Sequence, residues 1–165
     1  MLKTLLALTM ACGLFFNANA QDETKSSLFN KEFGFSIASG YTLDTSKLFQ
    51  NDYSFNLNAG VFYFPFKHFG VEANVPFFQT KGVSVSEVQA GLLARLPLGH
   101  VSPYLGAGGV YNWKTEQNWA YVGKVGLELR LNNKWGVFTE AQYRNNNFNW
   151  EKGATSLVGG LHFVF

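Results

Sequence analysis

Long stretches of strictly alternating apolar and polar residues constrain this chain more than any other feature. In YSFNLNAGVFYF, which begins at Tyr53, every second residue is Tyr, Phe, Leu, Ala or Val, and the first residues between them are Ser, Asn, Asn and Gly. A period of two places these two sets on opposite faces of a β-strand. The stretch exceeds the usual soluble strand of about 5–6 residues and suits a tilted bilayer-spanning strand of about 9–11 residues.

The same alternation recurs in seven further segments. They begin at Phe33, Phe69, Ser86, Ser102, Trp119, Trp135 and Thr155. Eight such segments predict an all-β fold, an eight-stranded antiparallel up-and-down barrel, because a closed barrel leaves no unpaired strand edge in lipid. Short turns are predicted near 65–68, 97–101 and 132–134, and the other connections near 43–52, 80–82, 114–118 and 146–153.

A targeting segment precedes the alternating region. It combines basic Lys3, an apolar run over about residues 5–16 and a small-x-small site at 18–20, which is typical of a cleavable signal peptide. The run is shorter than the roughly 20 residues of a membrane helix, which disfavours a transmembrane anchor. The residues before Cys12 lack the aliphatic residue usual in a lipoprotein signal. The predicted organisation is a signal peptide at 1–20, a short periplasmic N-terminal segment at 21–32 and the barrel at 33–165.

Alternation alone leaves open which face of the barrel points outward. A soluble barrel or sandwich keeps its apolar face inside, whereas a transmembrane barrel turns that face to lipid. Long strands, the signal peptide, and Tyr and Trp at strand ends (Tyr111, Trp113, Trp119) favour the membrane version, because such rings prefer the headgroup boundary. The side chains predicted to point into the lumen as an ion-pair network are Glu72, Arg95, Lys124, Glu128, Arg130, Glu140 and Arg144.

Three acidic and four basic side chains in a narrow tube are expected to pair. An eight-stranded barrel is just wide enough for its own side chains, and an unpaired buried charge is costly. We therefore predict a lumen plugged by ion pairs. A narrow channel for ions or small solutes through the same residues is the alternative.

The end of the chain resembles a known signal. In GGLHFVF, Leu161, Phe163 and Phe165 alternate as in the C-terminal assembly signal of outer-membrane proteins, and PYLGAGGVYNW and VGLELRLNNKWGVFTEAQYR are similar to late strands of the small OmpA-type and opacity-type outer-membrane β-barrel family, within the porin-like superfamily. The resemblance implies a monomer in a Gram-negative outer membrane with both mature termini in the periplasm. It also implies contact with lipid and lipopolysaccharide, and recognition by the barrel assembly machinery. The same scaffold hosts several functions.

No catalytic, cofactor-binding or metal-binding pattern is found in the sequence. Lipid A-modifying barrels, the distant alternative, need a Ser/His/acid set at the outer rim. Here His68 and His100 fall in predicted turns, and His162 points inward near the periplasmic end of the last strand, where it is expected to form hydrogen bonds. The net charge of +2 gives no basic field that would indicate nucleic acid. We therefore predict that the protein is not an enzyme.

The two longest predicted loops carry the remaining candidate residues. They are Leu48, Phe49, Phe148 and Trp150. Large apolar side chains at loop tips can anchor a partner, although they can equally belong to the outer aromatic girdle. The predicted role is accordingly structural or surface-interacting.

Overall fold

A computed structural model gives the fold and describes residues 29–44, 53–79, 82–83, 87–114, 119–145 and 153–165. The strands are β1 (Glu32–Asp44), β2 (Tyr53–Phe64), β3 (Phe69–Gln79), β4 (Gly82–Val83), β5 (Glu87–Arg95), β6 (Val101–Asn112), β7 (Trp119–Arg130), β8 (Trp135–Asn145) and β9 (Ala154–Val164). In these ranges no helix has the length and apolar character needed to cross a membrane. The predicted signal peptide and surface-contact residues Leu48, Phe49, Phe148 and Trp150 lie outside the described residues.

Eight long strands close into a barrel. Each pairs antiparallel with its neighbours in the order β1, β2, β3, β5, β6, β7, β8 and β9, and β9 returns to β1. At the closing seam Phe35 pairs with Phe163 of β9 and with Val61 of β2. The two-residue β4 pairs only with the end of β3. The predicted closed, eight-stranded antiparallel fold is confirmed, and β1 begins one residue before the predicted barrel boundary.

The apolar face of the barrel points outward. Along β7, Val125, Leu127 and Leu129 are exposed, whereas Lys124 and Glu128, at alternate positions, are buried in the lumen. A soluble barrel would place these two sets the other way round. The alternation therefore has the sense expected of a lipid-facing barrel.

Three short connections lie at one end of the barrel, which we call the turn end. They span 65–68, 96–100 and 131–134. Gly99 has a φ of 67°, which favours glycine, and the amide of Leu98 donates to the carbonyl of Val101 across this turn. In the next turn the Asn132 side chain accepts from the amide of Trp135. The remaining connections join the strands at the opposite end, the loop end.

A bulge in β3 interrupts the predicted alternation. Asn58 pairs with Pro76 and Leu57 with Phe78, so the pairing skips Phe77. Proline has no N–H for the ladder and is tolerated in strands at bulges. Strict alternation from Phe69 would place Phe77 on the same face as Val75, but the bulge changes the phase and brings Phe78 opposite Leu57.

Aromatic side chains lie on the outer face at both ends of the barrel. At the turn end the ring pairs are Phe33–Phe165 at 5.6 Å, Phe35–Phe163 at 5.3 Å and Trp135–Phe163 at 4.7 Å. At the loop end they are Tyr41–Phe55 at 5.4 Å and Tyr111–Trp119 at 4.9 Å. The amide of Phe165 donates to the carbonyl of Phe33, which ties the last residue into the turn-end ring. Two such girdles are typical of transmembrane barrels.

Candidate functional site

The lumen holds a cavity of about 310 Å³ lined by both polar and apolar side chains. It extends from Arg95 and His162 near the turn end to Glu87 and Arg144 near the loop end, and Lys124 lies on its wall between them. Because strand alternation turns every second side chain inward, each of these charged groups is placed in the lumen by its position on its strand.

Four charged side chains form a group near the turn end, which we call the turn-end cluster: Glu32, Arg95, Glu128 and Arg130. The Oε2 atom of Glu32 lies 2.9 Å from Nη1 of Arg95 and 2.9 Å from Nη2 of Arg130. The same Nη2 lies 2.9 Å from Oε1 of Glu128. All four side chains are 5% exposed or less. Glu32 on β1 thus joins arginines on two strands that are not its neighbours in the sheet.

A mostly apolar group of side chains lies beside the turn-end cluster. Phe62, Phe64, Leu93, Tyr104 and Val164 form one buried group beside it. The guanidinium carbon of Arg95 lies 3.7 Å from the centre of the Phe64 ring. Low local polarity strengthens the attraction between paired charges and makes any unpaired charge expensive.

The three histidines all approach this end of the barrel. The Nδ1 atoms of His68 and His100 lie 3.2 Å from the carbonyl oxygen of Arg95 and 3.0 Å from that of Arg130. Nδ1 of His162 lies 3.2 Å from Oε1 of Glu128 in the lumen. The His162 ring also stacks on Phe138 at 4.3 Å. The turn histidines therefore contact the backbone of the two buried arginines, and His162 faces the buried acid.

A second charged group crosses the middle of the lumen. Lys124 forms an ion pair with Glu72, and its Nζ lies 3.1 Å from Oε2 of Glu140. The hydroxyl of Tyr104 donates to the same Oε2 at 2.9 Å. The amide of Gln142 donates to Oε1 of Glu140. One ammonium thus serves two carboxylates, with neutral donors completing the shell of Glu140.

The loop end of the lumen is more open and less densely charged. Nη1 of Arg144 lies 2.8 Å from Oε1 of Glu87, and the Arg144 side chain is 32% exposed. Hydroxyls and amides line the neighbouring wall: Thr42 and Ser156 lie 2.8 Å apart, and Asn56 donates to Thr42 at 2.9 Å. This surface offers neutral hydrogen-bonding groups to the cavity.

The structure brings the predicted lumen residues into three groups. Arg95, Glu128 and Arg130 meet near the turn end, whereas Glu72, Lys124 and Glu140 meet in the middle, and Arg144 lies apart from both. Sequence reasoning missed Glu32 and Glu87, although both lie at inward positions of their strands. Each forms an ion pair with an arginine that was predicted to lie in the lumen.

The other predicted site residues lie on the outer face or outside the described ranges. Leu161 and Phe165 are exposed, and the ring of Phe163 packs against Trp135 and Phe35. This places the predicted assembly signal on the lipid-facing side of β9. Across the described ranges, no three His, Cys, Asp or Glu side chains are grouped so as to hold a metal ion.

Comparisons with known proteins give a likeness of fold. No protein-family model and no curated protein matches the chain. Among solved structures it resembles a barrel from the de novo design of transmembrane β-barrels, with 13% identity, a TM-score of 0.61, and coverage of 85% of this chain and 100% of that chain.

Two natural barrels are also similar. The N-terminal β-barrel domain of Pseudomonas aeruginosa OprF has 11% identity, a TM-score of 0.56, and coverage of 82% of this chain and 100% of that chain. Ail, the attachment invasion locus protein of Yersinia pestis, in complex with the heparin analogue sucrose octasulfate, has 13% identity, a TM-score of 0.52, and coverage of 82% and 99%. At these identities the likeness concerns the fold. The chain therefore has the fold of the small eight-stranded outer-membrane barrels.

Proposed function

We propose that this protein is an outer-membrane β-barrel of a Gram-negative bacterium with a structural or surface-interaction role, and that ion pairs plug its lumen. The observation that carries the proposal is the turn-end cluster, in which Glu32 bridges Arg95 and Arg130 inside an apolar shell. The outward apolar face and the two aromatic girdles support the membrane location.

The orientation proposed for the barrel follows from its ends. The signal peptide at 1–20 exports the chain, and both mature termini lie in the periplasm. In support, β1 starts and β9 finishes at the turn end, where Gly34 pairs with Val164. We propose that the barrel assembly machinery recognises Leu161, Phe163 and Phe165 on the last strand, and that the folded barrel is a monomer in contact with lipid and lipopolysaccharide.

Electrostatics favours a plug over a path. Removing one partner of a buried ion pair leaves an uncompensated charge, at a cost of about 3–5 kcal/mol. Separating Glu32 from Arg95 and Arg130 would carry this cost, so the turn-end cluster resists the passage of water and ions. The alternative, a narrow channel for ions or small solutes, is favoured by the 310 Å³ cavity above that cluster.

Single-channel conductance in a planar bilayer separates these two functions. The protein is refolded, and its insertion is verified by the difference in gel migration between boiled and unboiled samples. The plug predicts a silent bilayer for the unaltered protein. Reproducible steps that shift in Arg95→Gln or Glu140→Gln would show that the charged residues line a path, and would replace the plug with the channel.

A catalytic role is not proposed. All three histidines lie within the described ranges, and none is at the loop-end rim, where a lipid A-modifying site would need one. Incubating the refolded protein with lipid A tests this. A change in the mass of the lipid A would contradict the proposal.

A surface-interaction role rests on Leu48, Phe49, Phe148 and Trp150, which are predicted at loop tips. One of the similar structures supports this role, because Ail was solved in complex with the heparin analogue sucrose octasulfate. We therefore propose retention of proteoliposomes on immobilised heparin as the assay. The quadruple serine variant should fold normally and lose retention. Unchanged retention with unchanged folding would discard these residues as the contact.

A further inference from the structure

The segment that leads into β1 folds into the mouth of the barrel. Phe29 is completely buried, although it precedes the first strand and comes from the short segment predicted to lie outside the barrel. Its ring lies 5.0 Å from the guanidinium carbon of Arg95 and 4.7 Å from that of Arg130. An aromatic ring with two cations over it makes favourable cation–π contacts, which strengthen when water is excluded.

The residues after Phe29 accept hydrogen bonds from the same two arginines. Nη2 of Arg95 donates to the carbonyl of Asn30 at 3.0 Å, and Nη1 donates to Glu32 at 2.9 Å. Nη2 of Arg130 donates to the same Glu32 oxygen at 2.9 Å. The amide of Asn30 folds back to donate to Oε1 of Glu32. A ring, a carbonyl and a carboxylate from three of the residues 29–32 thus contact the two guanidinium groups.

Residues 29–31 precede the strand ladder. Pairing of β1 with β2 begins at Glu32, and pairing with β9 begins at Gly34. The contacts of Phe29 and Asn30 described above are cation–π contacts and single hydrogen bonds. Contacts outside the ladder can break locally while the sheet stays folded.

We propose that residues 29–31 form a releasable stopper that closes the turn end of the lumen beside Glu32. With the stopper seated, the lumen is a blind cup that ends near Arg95. With the stopper released, Arg95 and Arg130 lose the Phe29 ring and Arg95 loses the Asn30 carbonyl, whereas Glu32 stays paired with Phe64 of β2, and the space left by the ring opens a path from the cup to the turn end. This proposal rests on the closed lumen of the proposed function and adds the device that controls it.

Phe29→Ala tests the stopper, with Phe33→Ala as the matched control. Phe33 belongs to the same stretch of chain, but its ring lies on the outer face and stacks on Phe165. Planar-bilayer conductance is recorded for the unaltered protein and both variants, after heat-modifiable gel migration has verified folding. We expect silence from the unaltered protein and from Phe33→Ala, and reproducible steps from Phe29→Ala.

A second variant covers the case in which Phe29→Ala fails to fold. Phe29→Leu keeps an apolar side chain of similar bulk but removes the π face that the two guanidinium groups contact. We expect this variant to fold and to open in brief bursts. If the folded Phe29 variants stay silent while the unaltered protein is also silent, the stopper is wrong and the ion-pair plug stands.

The remaining outcomes are also decisive. Steps from Phe33→Ala that equal those from Phe29→Ala would overturn the stopper, because the effect would then be unspecific. Persistent steps from the unaltered protein would instead overturn the proposed closed lumen. Hydrogen exchange tests release: the amide of Asn30 should exchange much faster than that of Ser36 in β1, and equal rates would contradict a separable segment.

Discussion

The two ends of the lumen use charge differently. At the turn end, Glu32, Arg95 and Arg130 are buried side by side among aromatic rings. At the loop end, Arg144 and Glu87 form a single partly exposed pair beside a wall of hydroxyls and amides. The first arrangement excludes water from charged groups, and the second leaves room for it.

This difference indicates that the burial of the charges, more than their presence, decides how strongly each end of the lumen resists separation of its ion pairs. A buried pair resists separation because each charge left behind has neither water nor partner, whereas an exposed pair can exchange its partner for water. The free energy of unfolding should therefore respond strongly to changes near the turn end and weakly to changes near the loop end.

The largest effect is expected from Arg130→Met. The substitution removes the partner that Glu128 and Glu32 share and leaves buried carboxylate charge behind. We expect a loss of about 3–5 kcal/mol in the free energy of unfolding. Equilibrium unfolding in urea with phospholipid vesicles measures this loss. A loss smaller than that expected for an exposed ion pair would contradict the contrast between the two ends.

Tyr104→Phe sharpens the comparison in the middle of the lumen. The variant loses the hydroxyl that donates to Glu140, and a hydrogen bond to a charged acceptor contributes about 1.5–3 kcal/mol. Tyr41→Phe, on the outer face, is the control and should change stability by less than about 0.5 kcal/mol. Equal losses in the two variants would contradict a buried polar network around Glu140.

A pair of glycines on β7 tests how tightly the lumen is packed. A Cβ at Gly126 would overlap the ring of Tyr104, whereas a Cβ at Gly123 on the outer face would meet nothing within 4 Å. Gly126→Ala should destabilise by about 1–3 kcal/mol, as overpacking does. Gly123→Ala should be neutral or slightly stabilising, since glycine weakens a strand. The same urea titration measures the free energy of unfolding of both variants. An unchanged value for Gly126→Ala would indicate a loosely packed lumen.

The smallest effect is expected from Arg144→Met. Its ion pair with Glu87 is partly exposed, and such pairs contribute about 0.2–1 kcal/mol. High salt should reduce this small difference further. A loss as large as that of Arg130→Met would show that the loop end is as dry as the turn end, and would end the distinction between them.

The alternation of apolar and polar residues predicted most of the fold. Each residue's own polarity decides whether it suits the outer or the inner face. The outward and inward positions of β7 and β9 could therefore be predicted without knowing the neighbouring strands. The bulge at Pro76 and Phe77 could not, because it depends on how β3 pairs with β2. The two-residue strand β4 lies where a plain connection was expected.

Less of the site could be predicted, because it depends on contacts across the lumen. The inward phase identified Arg95 and Arg130, but their shared partner Glu32 lies on a strand that neighbours neither β5 nor β7. Phe29 belongs to a bend before β1, where no periodicity applies. Both depend on which residues meet across the lumen, and the alternation along a single strand contains no such information.

The contrast between the turn end and the loop end of the lumen is tested most directly by introducing a thiol at each end and measuring its accessibility to a reagent in water. Cys12 is the only cysteine in the chain and lies in the predicted signal peptide, so an introduced thiol is unique in the exported protein. Ser102→Cys places a thiol at a fully buried site near the turn end, and Ser156→Cys places one beside Thr42 near the loop end.

The rate of reaction with a hydrophilic thiol reagent is measured for each variant in the folded barrel and in urea. A sealed turn end and an open cup predict that the folded Ser156→Cys variant reacts at least roughly tenfold faster than the folded Ser102→Cys variant, and that the two rates converge on unfolding. Equal rates in the folded barrel would contradict the account, because water would then reach both ends of the lumen alike.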